Sequence, residues 1–223
     1  MRLQAAVGRT PLASAAQRDR FVQWLRRGQD GEAVRLHAYA VLPQTVLLLL
    51  TPQTAADLSR YVQALARQAS RASATPAVHD GAPATVWAGR FQSALVQPGN
   101  WVLAAMQWID RTAAEHLGET DAAHAALWSS RAVHCGEAAP SGARPALAAP
   151  DAYWQLGNTP FAREAAYRAQ LQQADLSHDA AAFDAALRSG SAVGDADFLR
   201  QLQDESGRRM LQARRGRPRT KVA

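Results

Sequence analysis

Arginines crowded near the C-terminus are the side chains whose type and spacing most clearly indicate chemistry. Residues 207–223 contain seven cations and no acid: Arg208, Arg209, Arg214, Arg215, Arg217, Arg219 and Lys221. The whole chain has a formal charge of +6, so residues 1–206 carry a net charge of −1. This separation predicts a basic arm on a nearly neutral body. Such an arm attracts polyanions, of which nucleic acid is the first candidate.

The arm also contains Arg215-Gly216-Arg217-Pro218, which resembles the core of an AT-hook. Extended arginines of this kind enter the narrow minor groove of A·T-rich DNA, where the negative potential is deepest. Arginine-rich sequence produces such a run easily, so a solvated, disordered tail is the alternative. The glycine and proline exclude a continuous helix here.

Side chains able to bind a metal ion or act as a nucleophile are few. Cys135 is the single cysteine, so the chain forms no internal disulfide and no thiolate cluster. His37 and Tyr39 stand at i and i+2 on a predicted strand, and Tyr61 lies on an apolar helical stripe. We expect structural roles for all three. The other histidines lack metal-ligand spacing and are expected at the surface or in loops: His79, His116, His124, His134 and His178.

The hydropathy pattern predicts the elements that position these residues. Strands are predicted over 3–7, 34–42, 45–51 and 86–96. Helices are predicted over 15–27, from Thr54 onward, over 99–116, and near 160–173, 179–188 and 195–205. The segment 45–51 is almost entirely apolar, which favours a strand at the centre of a sheet. The order β-α-β-β-α-β is ferredoxin-like and predicts an α+β fold, an antiparallel sheet with packed helices.

Composition predicts four regions along the chain. These are a ferredoxin-like domain at 1–135, a flexible linker at 136–150, a small helical region at 151–206 and a basic, disordered tail at 207–223. A helix-turn-helix near the end is an alternative, but its turn exceeds the usual length of about 3–4 residues, which favours a helical packing module. The longest apolar run, 46–50, is far shorter than the roughly 20 residues of a membrane span. With no signal peptide recognised, we expect a soluble, cytoplasmic protein that does not bind membranes.

Short motifs occur in a fixed order along nearly the whole chain. They read HAYAVLPQTVLLLLTP at 37–52, WAGRF at 87–91, WSS at 128–130, YWQLG at 153–157, GRR at 207–209 and RGRP at 215–218. Gly190, Gly194-Asp195 and Phe198 precede the last two motifs. This ordered set resembles the REP-associated tyrosine transposases, a single-tyrosine family related to the IS200-like transposases. Their strand reads HAYxLMPNHVHLLLTP, followed by WEGRF, WSS and YxxLG.

The resemblance implies a particular active site. In the family, two histidines separated by one hydrophobic residue bind a divalent metal such as Mg or Mn, and a tyrosine on a later helix attacks the scissile phosphate. An asparagine four residues after that tyrosine completes the metal site. The matching positions here are Thr45 and Leu47, Trp108 for the tyrosine, and Thr112 for the asparagine. Leucine has no lone pair, a threonine hydroxyl is a poor ligand, and tryptophan offers only an N–H donor.

We therefore expect a DNA-binding protein of transposase descent with no catalytic residue, no metal ligand and no cofactor. Arg90, after Gly89 on the predicted strand that enters the former active site, is expected to contact DNA, because glycine permits close approach and arginine suits phosphate. A turn glycine with a solvated arginine is the alternative. The expected partner is single-stranded or hairpin repeat DNA, bound on the sheet face, with the arm on the flanking backbone.

Two other functions stay open at this point. One is an active transposase-like nuclease that has recruited other groups, which substitution of Tyr61 would test. The other is a protein-interaction module, or a non-functional remnant, without affinity for nucleic acid. The sequence does not indicate the oligomeric state or the DNA target.

Overall fold

The computed structural model describes residues 1–29, 33–73, 85–117, 126–138, 144–173 and 177–208. The strands are β1 (Arg2–Gln4), β2 (Val34–Val41), β3 (Thr45–Pro52), β4 (Leu95–Val96) and β5 (Ala192–Val193). The helices are α1 (Ala15–Arg27), α2 (Ala55–Ala72), α3 (Asn100–Leu117), α4 (Arg131–His134), α5 (Asp151–Trp154), α6 (Pro160–Gln173), α7 (Ser177–Ser189) and α8 (Ala196–Ser206). The predicted α+β class, with an antiparallel sheet and packed helices, is confirmed.

The main sheet has the strand order β1-β3-β2, and both pairs are antiparallel. β3 is the central strand, as its apolar run predicts, and Leu48 within it is fully buried opposite Tyr39. A tight connection joins β2 to β3, where the Leu42 N–H donates to the Thr45 carbonyl over 2.8 Å. The register shifts between Leu36 and Ala38, so a β-bulge lies within β2.

The predicted strand over 86–96 is wrong for most of its length. Trp87 and Gln92 form isolated antiparallel bridges to the N-terminal segment, in the edge position beside β1. Gly89, between them, has a φ of +139°, a backbone conformation that interrupts regular pairing and that other residues rarely adopt. β4 pairs in parallel with β5, away from the main sheet. The edge beside β1 is therefore an irregular segment held at two points.

Helices α1 and α2 cover one face of the sheet. A capping box begins each of them, formed by Ser14 with Gln17 and by Thr54 with Asp57, so both starting points are fixed locally. The apolar stripes of the two helices then turn toward the strands. The buried side chains that meet on this face include Phe21, Val22, Leu25, Leu36, Leu48, Val62 and Leu65.

Helix α3 covers the opposite face. Met106 and Ile109 of this helix pack against Ala38 and Ala40 of β2, whose small side chains let the helix approach the sheet closely. Tyr167 of α6 joins the same cluster and is fully buried. The predicted C-terminal helical region thus shares a core with the sheet domain.

A buried carboxylate ties three helices together beneath this face. Asp110 of α3 is completely buried and accepts hydrogen bonds from Ser130 (2.6 Å), from His134 Nδ1 (2.7 Å) and from the Tyr167 hydroxyl (2.8 Å). His134 also donates from Nε2 to the His37 carbonyl over 3.0 Å. The surface or loop location expected for His134 is therefore wrong. It is a buried helical residue, because the carboxylate satisfies its ring.

The described part of the predicted linker lies along β2. The Ala148 N–H donates to the Leu36 carbonyl over 2.8 Å, and the Ala148 carbonyl accepts from His37 Nδ1 over 2.6 Å. The Gln29 side chain bonds both backbone groups of Ala146. Residues 144–148 are thus tied to the sheet domain at several points.

The interval between α7 and α8 contains β5, whose pairing with β4 replaces the turn of a helix-turn-helix. Phe183 of α7 packs into a cluster with Ala105, Ala186 and Val193, which joins this region to α3. The packing module is thus the arrangement found. Within the described residues, no helix combines the length and apolar character that crossing a membrane requires.

Candidate nucleic-acid interface

The four positions that the resemblance assigns to the active site come together in the structure. Thr45 and Leu47 of β3 and Trp108 and Thr112 of α3 line one cavity of about 540 Å³, here called the sheet cleft. Its other lining residues are Arg2, Gln4, Leu42, Pro43, Gln44, Glu115, His116 and Asp184. The i and i+2 spacing on β3 places the first pair on one face, and the i and i+4 spacing on α3 does the same for the second.

These side chains do not fit a divalent metal ion. The Thr45 hydroxyl donates to Gln4 Oε1 over 2.8 Å, and the Thr112 hydroxyl donates to the Trp108 carbonyl over 2.8 Å. Leu47 has no donor atom, and only 2% of its surface is exposed. A site built from one aliphatic group and two engaged neutral hydroxyls lacks the carboxylate or imidazole ligands that such ions take from proteins.

Trp108, in the nucleophile position, has a packing role. Its ring stacks on Phe183 of α7 with a centroid separation of 5.3 Å and an interplanar angle of 21°. This contact fixes α7 against α3 next to the sheet cleft. Because an indole N–H cannot attack phosphorus, the residue supplies contact area and no covalent chemistry.

The charges of the remaining ionisable groups in the sheet cleft largely cancel. Asp184 pairs with Arg2 over 2.6 Å, and His116 Nδ1 lies 2.9 Å from the Thr112 carbonyl. With Glu115 counted and His116 neutral, the cleft carries a formal charge of −1. Among the residues that the structure describes, no three histidine, cysteine or acidic side chains are grouped to hold a metal ion. The cleft is electrostatically unattractive to phosphate.

Tyr61 is a core residue, as expected, and lies outside the sheet cleft. Its ring is 7% exposed, and its hydroxyl donates to the Leu25 carbonyl over 3.1 Å. Burial raises the pKa of the Tyr61 phenol above its ordinary value, so forming a phenolate there is costly. A nucleophile needs the opposite environment.

His37 and Tyr39 also have structural roles. The Nδ1 and Nε2 atoms of His37 lie 2.6 Å from the Ala148 carbonyl and 2.8 Å from the Thr51 hydroxyl, so both ring nitrogens are engaged. Burial is the main cause that lowers the pKa of His37, which favours the neutral ring. Tyr39 is fully buried and donates to the Leu127 carbonyl over 2.9 Å.

A second cavity, of about 800 Å³, lies on the α2 side of the sheet and gathers four arginines. Arg67 and Arg71 stand at i and i+4 on α2, and Arg9 and Arg90 line the same opening. We call this the arginine cleft. The rest of its described lining is uncharged: Ala66, Ser70, Ser73, Thr85, Val86, Trp87 and Gly89. Its described residues therefore carry a formal charge of +4.

Local geometry holds Arg90 at the rim of the arginine cleft. Trp87 donates from its indole nitrogen to the Ala66 carbonyl of α2 over 3.0 Å, which ties the irregular edge segment to the helix. No atom outside the neighbouring residues lies within 4 Å of a Cβ added at Gly89, so the positive φ, rather than close approach, requires glycine there. Sequence reasoning found Arg90 but missed Arg9, Arg67 and Arg71, although the i and i+4 arginines on α2 were a visible signal.

Of the predicted DNA-contacting residues, Arg90 and Arg208 lie in the part of the chain that the structure describes. Arg90 is exposed in the arginine cleft, on the opposite side of the edge segment from the sheet cleft that it was expected to serve. Arg208 is exposed just beyond α8, after Gly207, whose φ of +65° ends that helix. The other predicted contacts lie outside the described residues: Arg209, Arg214, Arg215, Arg217, Arg219 and Lys221.

No protein-family model matches this chain, and the searches of curated proteins and of solved structures find no significant match, so descent from the transposases stands as a prediction from the motifs.

Proposed function

We propose that this protein binds DNA, single-stranded or folded into a hairpin, and does not cleave it. Under this proposal it derives from a REP-associated tyrosine transposase whose scaffold persists without the groups that cut. The observation that carries the proposal is the convergence of Thr45, Leu47, Trp108 and Thr112 in the sheet cleft.

That convergence supports descent from an enzyme that used metal-assisted attack by a side chain. Such attack needs ligands on adjacent positions of a strand and a nucleophile on the helix above them. The protein has the positions but holds an aliphatic, an indole and two hydroxyl side chains there. Because Leu47 offers no lone pair and Trp108 no nucleophilic oxygen, the sheet cleft cannot perform this reaction.

Support for DNA as the partner comes from the distribution of charge. Residues 207–223 carry seven cations, and the arginine cleft adds four more on a body whose total is −1. Collecting like charges costs free energy unless a counter-charge is present. A phosphodiester backbone supplies that charge, and the arginine guanidinium suits phosphate oxygens.

A nuclease that uses other groups is less well supported. Tyr61, the suggested replacement nucleophile, is buried and hydrogen-bonded within the core. Of the acids near the former active site, Asp184 is already paired with Arg2. Neither group is free to approach a phosphodiester.

A single assay tests the proposal. The full-length protein is incubated with a labelled hairpin oligonucleotide and Mn²⁺, and binding and strand integrity are measured together. The expected result is a complex without nicked DNA. If all seven arm cations meet duplex phosphates, the slope of log K against log salt is about −6. Nicked DNA joined to a tyrosine would overturn the proposal, and the absence of any complex would favour the protein-interaction alternative.

A further inference from the structure

We infer that the arginine cleft is a phosphate-binding surface, and that it, in place of the sheet cleft, receives the nucleic-acid backbone. The inference rests on the proposed function for the identity of the ligand. It differs from the expectation that DNA lies on the sheet face over the former active site.

The two clefts differ in their formal charge. The described lining of the arginine cleft carries +4 and no acid, whereas the sheet cleft carries −1 and already pairs Arg2 with Asp184. Phosphate is therefore attracted to the first surface and weakly repelled by the second. The difference in charge therefore favours the arginine cleft as the phosphate-binding surface.

Three arginines of the arginine cleft have guanidinium groups that are available to bind phosphate. Arg67, Arg71 and Arg90 are exposed, and within the described part of the chain none of them forms a salt bridge. By contrast, Arg60, which lies seven residues before Arg67 on α2, is already paired with Asp57 over 2.5 Å. Three unneutralised guanidinium groups around one opening match the fork geometry that binds phosphate oxygens.

Neutral donors complete the surface and indicate which part of the polynucleotide it binds. Ser70 and Thr85 line the same opening, and hydroxyl side chains commonly contact phosphate and sugar. The aromatic residue of the cleft, Trp87, is 7% exposed and uses its N–H on the Ala66 carbonyl, so it offers no open face for base stacking. The surface therefore reads the backbone and carries no base sequence preference.

The two clefts flank the same edge of the sheet. The Ala88 N–H donates to the Gln4 carbonyl over 2.9 Å, so the backbone segments that contribute to the two clefts are hydrogen-bonded to each other. Gln4 lines the sheet cleft, and Gly89 and Arg90 line the arginine cleft. A nucleic acid bound to the arginines therefore lies across this edge from the former active site, close to it but outside it.

Neutral variants of the full-length protein test the inference. The triple variant Arg67→Gln, Arg71→Gln, Arg90→Gln removes three exposed charges from the cleft. Its matched control, Arg20→Gln, Arg26→Gln, Arg188→Gln, removes three exposed charges elsewhere. Anisotropy with a fluorescein-labelled single-stranded oligonucleotide is recorded between about 50 and 200 mM salt. We expect binding roughly a hundredfold weaker, and a salt slope shallower by about 2, for the cleft variant. The control should stay within about threefold of the native protein.

A sheet-cleft variant provides the opposing test. If DNA lay in the sheet cleft, Glu115→Gln would remove a repulsive charge and tighten binding several-fold, whereas we expect no change. Two results would overturn the inference while leaving DNA binding intact. One is an equal loss of DNA affinity in the triple variant of the arginine cleft and in its control; the other is tighter DNA binding by Glu115→Gln.

Inorganic tripolyphosphate separates the inference from the proposed function. We expect it to raise the Tm of the native protein and of the control, and not that of the cleft variant. Should tripolyphosphate act in this way while no oligonucleotide binds any form, the arginine cleft is a phosphate site and the DNA-binding proposal fails. Circular dichroism of each variant checks that the fold is retained, which we expect because all the substituted side chains are exposed.

Discussion

On the α1 and α2 face of the sheet, the core consists of aliphatic and aromatic side chains, and arginines stand at its rim. On the α3 face, the Asp110 carboxylate is buried inside the core, and the sheet cleft carries a formal charge of −1. The α3 face brings together the four positions that the resemblance assigns to an active site, with side chains that neither bind a metal ion nor attack phosphorus. The α2 face has no such form but displays the charge that a polyanion requires. A functional site normally combines a suitable shape with a suitable charge. Here the two belong to different clefts, which lie on opposite sides of one edge of the sheet.

The contrast between the two faces can be tested by substitution, and the largest expected effect is the loss of stability when the buried carboxylate of Asp110 is removed. Asp110→Ala removes the acceptor of three hydrogen bonds and leaves the donors of Ser130, His134 and Tyr167 buried without it. We expect a loss of about 3–5 kcal/mol in the free energy of unfolding, measured in urea. The matched control, Asp204→Ala, removes an exposed carboxylate from α8 and should change stability by less than about 0.5 kcal/mol. A loss below about 1 kcal/mol for Asp110→Ala would show that the network contributes little.

A smaller effect is expected on the other side of the edge. Gly89→Ala places a side chain at a φ of +139°, which strains the backbone by about 1–2 kcal/mol or shifts the segment that carries Arg90. We expect modest destabilisation together with weaker DNA binding. Gly190 also has a positive φ, of +63°, meets open space around an added Cβ as Gly89 does, and does not line the arginine cleft, so Gly190→Ala serves as the control. If both variants bind DNA equally, the conformation at Gly89 does not shape the surface.

The smallest effect is a dependence of stability on pH through His37. Burial lowers the folded-state pKa of His37 below its ordinary value of 6.5, so the neutral ring is favoured in the folded protein. The stabilisation is complete above about pH 6.5 and is lost as the pH falls through the lowered pKa. We expect the free energy of unfolding to decline as the pH falls below about 6.5, and to decline less in His37→Gln, whose amide can still bond Ala148 and Thr51. An unchanged profile for the variant would assign the decline to another group.

Much of the fold could be predicted because its signals are local. Ser14 with Gln17 and Thr54 with Asp57 define where α1 and α2 begin, and each pair closes within four residues. The apolar run of β3 likewise indicated the central strand. The strand predicted over 86–96 was wrong because the positive φ at Gly89 interrupts regular pairing, and because β4 at its end pairs in parallel with β5, a strand far away along the chain. The buried state of His134 was missed for the same reason, since its partner Asp110 is 24 residues away.

The sequence by itself determined what the sheet cleft cannot do, because the chemistry of a side chain is fixed by its covalent structure. Leu47 lacks a lone pair and Trp108 lacks a nucleophilic oxygen wherever the chain places them. Which charges stand together was decided only by the tertiary structure. Arg9, Arg67, Arg71 and Arg90 are spread over more than eighty residues, and it is the packing of α2 and of the edge segment against the sheet that brings them around one opening.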